Sequence, residues 1–182
     1  GAKAAVEAAK ANGWDEIKCI EIAGVQGDST NTARMDGYRE GITEAGGEFL
    51  DNETQYANAT ADLAVTAMEG IMSKFPDGVA IICSNNDDMA LAAARTAKSN
   101  PNYAKTIFLG FDGQKSACEA VAAGELTMTA AQNNFDIGYR AVETMVKILK
   151  GEQYDKVVDT GTEIITKDNA EERLTKFNEW MK

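Results

Sequence analysis

The residues that could do chemistry in this chain are amides, carboxylates, hydroxyls and an arginine, because the 182-residue sequence has no histidine. This absence excludes Ser-His and Cys-His nucleophile pairs, histidine zinc sites and histidine acid–base catalysis. The polar residues instead fall in short runs that follow apolar, strand-like segments. They are Asp28, Thr30, Asn31, Thr32, Arg34, Tyr56, Asn85, Asn86, Asp87, Asp112, Gln114, Gln132 and Asn133.

Such side chains are suited to a ligand made of neutral hydroxyl groups. Amides and carboxylates donate and accept hydrogen bonds without supplying a nucleophile or a metal cage. Arg34 stands near the start of a predicted helix, where the helix dipole disfavours a positive charge. Its planar guanidinium could donate two hydrogen bonds to adjacent hydroxyls, although an ion-paired surface arginine fits the spacing equally well. The sequence therefore predicts polyol binding, with no catalytic residue, cofactor or metal.

A magnesium or phosphoacceptor site is the alternative chemistry. Asp87 and Asp88 follow a buried strand, as in receiver-like domains, and Asp112 follows the next strand. However, both aspartates also open a predicted helix, where the dipole favours carboxylates. No calcium loop and no glycine-rich nucleotide loop occurs in the sequence. Helix capping is therefore the preferred interpretation of this pair.

The elements that must position these residues alternate regularly between helix and strand. This order is typical of an α/β fold, a three-layer sandwich whose mostly parallel sheet has helices on both faces. The polar runs then meet at the carboxyl edge of the sheet, where such folds bind ligands. Strands are predicted at 17–23, 48–55, 79–83, 106–111 and 126–132, with two extended pieces near 157–165; helices are predicted at 2–11, 31–45, from an Asn58 cap to Lys74, at 87–98, 115–123 and 135–150, and after Asp168 and Asn169.

Composition excludes several partners. A net charge of −11 opposes binding to nucleic acid and to anionic membrane surfaces. Apolar runs such as 79–83 are too short to cross a bilayer. The three cysteines include no C-x-x-C pair, and we expect buried free thiols. The sequence begins at Gly1 without an initiator methionine or a recognisable signal segment, which suggests a processed or truncated start.

Four segments carry a resemblance to a known family. They are Arg34-Met-Asp-Gly-Tyr38, Asn85-Asn-Asp-Asp-Met-Ala90, Leu109-Gly-Phe-Asp-Gly113, and Gly124-Glu-Leu-Thr-Met-Thr-Ala-Ala-Gln132 followed by Gly138. In this order the chain resembles the second half of a periplasmic sugar-binding protein of the ribose/galactose type. Such proteins are the solute receptors of bacterial ABC importers, so the resemblance implies a type I periplasmic-binding-protein lobe and a periplasmic or extracellular location.

The resemblance also implies roles for individual residues. Four of them, Arg34, Asn86, Asp112 and Gln132, stand where such receptors hydrogen-bond the sugar from their second lobe. Asp28 and Thr30 lie in a loop that adds further contacts. The position of the usual stacking aromatic is occupied by Ala57, and Tyr56, one residue earlier, is the candidate replacement. The implied function is capture of a monosaccharide or related polyol without chemical change, for delivery to an ABC permease.

The length of the chain departs from the family pattern of two lobes. We expect residues 1–132 to form the ligand-binding lobe. Residues 133–182 should contain returning helices and short strands that normally pack on the missing first lobe. The helix at 135–150 carries an apolar stripe that would then lack its usual partner. A homodimer through that helix face is therefore predicted.

Three alternatives stay open at this point. The effector-binding half of a LacI-type sugar-responsive repressor shares these motifs and this fold. A receptor for a different small solute, such as an inositol or a furanosyl signalling molecule, is compatible with Ala57. A magnesium-dependent, receiver-like phosphotransfer domain would instead use Asp87, Asp88 and Asp112.

Overall fold

The computed structural model describes residues 1–180 as alternating strands and helices. The strands are β1 (Lys18–Ala23), β2 (Glu48–Phe49), β3 (Gln55–Tyr56), β4 (Ile81–Ser84), β5 (Ile107–Asp112), β6 (Met128–Gln132) and β7 (Thr162–Ile165). The helices are α1 (Ala2–Ala11), α2 (Ser29–Glu44), α3 (Ala61–Lys74), α4 (Asp87–Ala97), α5 (Lys115–Ala123), α6 (Asn134–Lys150) and α7 (Ala170–Trp180).

One seven-stranded sheet runs through the molecule in the order β2-β1-β4-β5-β6-β7, with β3 also paired to β1. Strands β1 to β6 pair in parallel, and β7 pairs antiparallel with β6. Because the paired strands are parallel, the loops that follow β1, β4, β5 and β6 emerge at one edge. The predicted α/β fold with a mostly parallel sheet is confirmed.

Helices cover both faces of this sheet. Small and apolar residues of α3, α4 and α5 pack on one face together with Ile165 and Ala170. On the other face, α1 buries Ala2, Ala5, Val6 and Ala9, which recur at helical spacing. Helix α2 packs closely beside α1, since a Cβ at Gly41 would lie 2.7 Å from the Ala2 Cβ. The two cores hold the sheet from both faces and thereby fix the strand ends from which the loops emerge.

Three predicted elements differ from the structure. The strand predicted at 48–55 is two short strands separated by a 3₁₀ turn at Asp51–Glu53. The prediction that Asn58 caps α3 is wrong, because Asn58 and Ala59 have φ angles of +46° and +60°, which a right-handed helix excludes, and α3 begins after Thr60. Of the two extended pieces predicted near 157–165, the structure has the single strand β7.

The last quarter of the chain contains elements that join the core and one helix without buried residues. Strand β7 and α7 join the sheet and the first core through Ile165 and Ala170. None of the described α6 side chains is buried. The division predicted at residue 132 stays a prediction. Within residues 1–180, no helix combines the length and the apolarity that a membrane crossing requires.

All three cysteines are buried free thiols, as expected from their apolar surroundings. The sulfur atoms of Cys19 and Cys83, on neighbouring strands, lie 3.4 Å apart. They belong to the core between the sheet and helices α1 and α2.

Candidate functional site

Three of the predicted site residues meet at the carboxyl edge of the sheet, and we call Arg34, Asp112 and Gln132 the Asp112 cluster. The Asp112 Oδ1 atom accepts hydrogen bonds from Arg34 Nη2 at 3.0 Å and from Gln132 Nε2 at 2.7 Å. Arg34 comes from α2, Asp112 ends β5 and Gln132 ends β6. One carboxylate oxygen thus joins side chains from three elements.

The arginine of this cluster is held on two further sides. Its Nη1 donates to the backbone oxygen of Asn85 at 2.7 Å, and its guanidinium lies 4.1 Å from the centre of the Phe111 ring. The Arg34 side chain is 16% exposed and the Asp112 side chain 22% exposed. Such a partly desolvated, charge-assisted bond is stronger than a surface ion pair and orients the guanidinium.

A buried polar network lies behind the cluster, and sequence reasoning did not identify it. Asn85 Nδ2 donates to the Asn31 backbone oxygen at 3.2 Å and to Glu21 Oε1 at 3.3 Å. Asn31 Oδ1 in turn accepts the Gly24 amide at 2.6 Å. This network connects the end of β1 with Asn85, whose backbone oxygen accepts the Arg34 hydrogen bond. The available signal was Glu21 itself, a carboxylate within an apolar strand.

The end of β6 is held by Arg173, which the sequence analysis did not identify. Arg173 of α7 is 4% exposed, and its Nη2 donates to the Gln132 backbone oxygen at 2.7 Å. Its guanidinium also stacks on Phe177 and Trp180, at 5.3 and 4.9 Å from the ring centres. Helix α7 therefore anchors the strand end from which the Gln132 side chain reaches Asp112.

Asp28 and Asn86 lie at the same edge but are used as helix caps. Asp28 Oδ1 accepts the Asn31 amide at 2.8 Å at the start of α2. Asn86 Oδ1 accepts the Met89 amide at 2.9 Å at the start of α4. The Asn86 Nδ2 also donates to the Ala59 oxygen at 3.1 Å, which supports the left-handed loop before α3. Both residues satisfy helix-end amides that would otherwise lack partners.

The two remaining predicted residues, Thr30 and Tyr56, lie in other surroundings. Thr30 is exposed and lines an open hollow of about 330 Å³ together with Arg34 and Phe111. Tyr56 is 41% exposed at the end of β3, which pairs with the end of β1. Within residues 1–180, no hydrogen bond joins either side chain to the Asp112 cluster.

Two buried carboxyls near the edge have raised pKa values. Burial raises the pKa of Glu21 to about 7, against the opposing effect of the Asn85 hydrogen bond. Burial likewise raises the pKa of Asp87 to about 7, although Thr129 and Gln114 donate hydrogen bonds to it. Both groups therefore change protonation near neutral pH.

The same contacts give the magnesium alternative no support. Both Asp87 oxygens accept hydrogen bonds from the protein, and Asp112 is paired with a guanidinium. In residues 1–180, no three His, Cys, Asp or Glu side chains are grouped closely enough to hold a metal ion. The edge presents hydrogen-bonding groups in a fixed orientation, which is what recognition of hydroxyls requires.

Comparison with known proteins places this architecture in a family. A sequence model of the periplasmic binding protein domain matches residues 1–153. The ribose import binding protein RbsB of Haemophilus influenzae is 32% identical over 152 residues, which are 84% of this chain and 50% of that protein. The chain spans about half the length of the curated relatives it matches.

Solved structures show the same fold. An ABC transporter solute binding protein of Bacillus halodurans with bound myo-inositol has a TM-score of 0.79 and 25% identity, over 94% of this chain and 58% of that one. A periplasmic solute binding protein of Actinobacillus succinogenes with bound D-allose has a TM-score of 0.82 and 21% identity, over 92% of this chain and 59% of that one. The predicted resemblance is thereby confirmed, and the chain belongs to the periplasmic binding protein family.

Proposed function

We propose that this chain forms one lobe of a solute receptor that binds a monosaccharide or a related polyol for an ABC importer. The observation that carries the proposal is the Asp112 cluster, which presents charged and amide groups from three elements at the carboxyl edge of the sheet. The relatives, whose names and titles include ribose, D-allose and myo-inositol, support the ligand class.

The cluster has hydrogen-bonding capacity left for a ligand. A guanidinium has five N–H donors, and the contacts with Asn85 and Asp112 use only part of them. A carboxylate accepts about four hydrogen bonds, so Asp112 can receive hydroxyls in addition to its two present donors. Adjacent hydroxyls of a polyol match this donor and acceptor spacing, and a wrong hydroxyl geometry leaves buried groups unpaired.

The proposed receptor releases its ligand unchanged. The side chains of the cluster orient hydroxyls and provide no activated nucleophile, so we assign no enzymatic activity. In the complete receptor a second lobe covers the ligand, the closed form binds the permease, and the location is periplasmic or extracellular. A micromolar site is worth about −8 kcal/mol, so one lobe with half the contacts should bind near millimolar.

The test is an amide-resolved NMR titration of this chain with hexoses, pentoses and inositols. We expect weak, saturable shifts centred on Arg34, Asp112 and Gln132, and their loss in D112N. The matched control is D88N, which removes the same charge from an exposed position at the start of α4. No shifts with any sugar, or equal shifts in D112N, would contradict the proposal.

We also propose that α6 mediates homodimerisation of this chain. The apolar stripe of this helix includes Ile137, Met145 and Leu149, which are 42%, 55% and 80% exposed. Contiguous apolar surface of this kind favours association. Sedimentation equilibrium should show a dimer that M145E weakens. The control K150Q makes the same change in net charge at a polar position of the helix, and a wild-type monomer at high concentration would refute the dimer.

A further inference from the structure

Asp87 is a buried carboxylate that the proposed binding site does not use. It opens α4, where a carboxylate normally stays in water, as the exposed Asp88 does. Asp87 is nevertheless only 1% exposed. Burying a carboxylate costs free energy unless hydrogen bonds offset the lost hydration. The burial therefore indicates a role beyond starting the helix.

Both carboxylate oxygens of Asp87 bind elements other than its own helix. Thr129 Oγ1 on β6 donates to Oδ1 at 2.6 Å, and the Gln114 amide after β5 donates to Oδ2 at 2.7 Å. Strand β5 leaves room for this carboxylate at Gly110, where a Cβ would overlap Oδ1 and lie 3.2 Å from the Ala90 Cβ. The Asp87 side chain thus connects α4 with the turn after β5 and with Thr129 near the start of β6.

The turn held by Asp87 is the one that presents Asp112. Asp112 has a φ angle of +117°, a conformation that costs a non-glycine residue about 1–3 kcal/mol and persists only when its surroundings impose it. Gly113 follows at +68° and lies so close to Ala131 that a side chain would overlap it. The Gln114 amide bond to Asp87 closes this turn on its far side.

We propose that Asp87 is a positioning residue that holds the 112–114 turn and β6 so that Asp112 Oδ1 receives both Arg34 and Gln132. The effect on sugar binding rests on the proposed function, whereas the positioning of Asp112 needs no ligand. D87N keeps the arrangement, because the new amide can accept from Gln114 and donate to Thr129 Oγ1. D87A removes both bonds.

The experiment follows the ligand-free chain by NMR. It measures the hydrogen-exchange rate of the Gln114 amide and the side-chain amide resonances of Gln132. The destabilised control is I42A, since Ile42 lies in the core on the opposite face of the sheet. We expect D87A to speed Gln114 exchange at least about tenfold more than I42A and to shift the Gln132 resonances, with D87N near wild type.

Two results would overturn the proposal: wild-type values for both probes in D87A, or equal changes in I42A. If D87A does not fold, T129V removes the Oδ1 partner alone and should shift the Gln132 resonances in the same direction by less. Unchanged resonances in T129V would then overturn it. Absence of shifts when D-ribose, hexoses and inositols are added to the wild-type chain would count against the proposed function and leave these ligand-free readouts intact.

Discussion

The Asp112 cluster and the capping pair of Asp28 and Asn86 lie at one sheet edge and differ in what their side chains contact. In the cluster, side chains from α2, β5 and β6 meet across the edge on one carboxylate oxygen. In the capping pair, the side-chain oxygen of each residue accepts a backbone amide in the first turn of its own helix. Position at a strand's carboxyl end therefore predicts which residues are neighbours, and nearby backbone amides decide which of their side-chain oxygens are engaged in helix caps.

The largest expected difference between the two regions is their dependence on pH. The cluster rests on buried Glu21 and Asp87, whose pKa values burial raises to about 7. A raised folded pKa gives stability that is present in acid and lost as the pH rises through 7. We expect the free energy of unfolding to fall between about pH 4, near the unfolded pKa values, and about pH 7, near the folded ones, by on the order of 3 kcal/mol for each group.

Urea denaturation at several pH values measures this loss. E21Q and D87N should each remove roughly half of it, since neither side chain can ionise. The capping variant D28N is the control, because it changes a carboxylate outside the two buried sites. Equal pH dependence in E21Q and wild type would show that Glu21 does not carry the effect.

The next largest effect is expected from D112A. This substitution leaves the partly buried Arg34 and the Gln132 amide without their shared acceptor. An uncompensated group of this kind costs about 1–3 kcal/mol. Chemical denaturation near neutral pH checks the value, and D88A at an exposed position should cost much less. If D112A left the free energy of unfolding unchanged, the bonds from Arg34 and Gln132 to Asp112 would contribute nothing to stability.

Smaller effects are expected in the capping pair. D28A and N86A each remove a cap, which typically costs about 1 kcal/mol. N86A should cost the more of the two, because it also releases the Ala59 carbonyl and the left-handed residues before α3. Urea denaturation of the two variants under one condition tests this order. A larger loss of unfolding free energy in D28A would show that the Asn86 bond to Ala59 adds no stability.

The sequence predicted the fold better than the contacts within the site. Alternating apolar runs and helix-period segments were sufficient for the α/β order, and strand ends were sufficient to place Arg34, Asp112 and Gln132 at one edge. The use of Asn86 as a cap, and the left-handed Asn58 that was predicted to cap α3, depend on local backbone geometry. The bonds from Asp87 to Thr129 and Gln114 span residues distant in the chain, which no local pattern encodes.

Ligand-observed NMR with the best sugar of the panel, applied to wild type, D112N and D28N, most directly tests whether the Asp112 cluster is the sugar-binding half-site. D112N and D28N each neutralise one carboxylate at the same edge, one in the cluster and one in a cap. We predict that D112N weakens binding at least about tenfold, equivalent to 1.4 kcal/mol, and that D28N stays within about twofold of wild type. Equal losses in both variants, or an unchanged D112N, would contradict that role for the cluster.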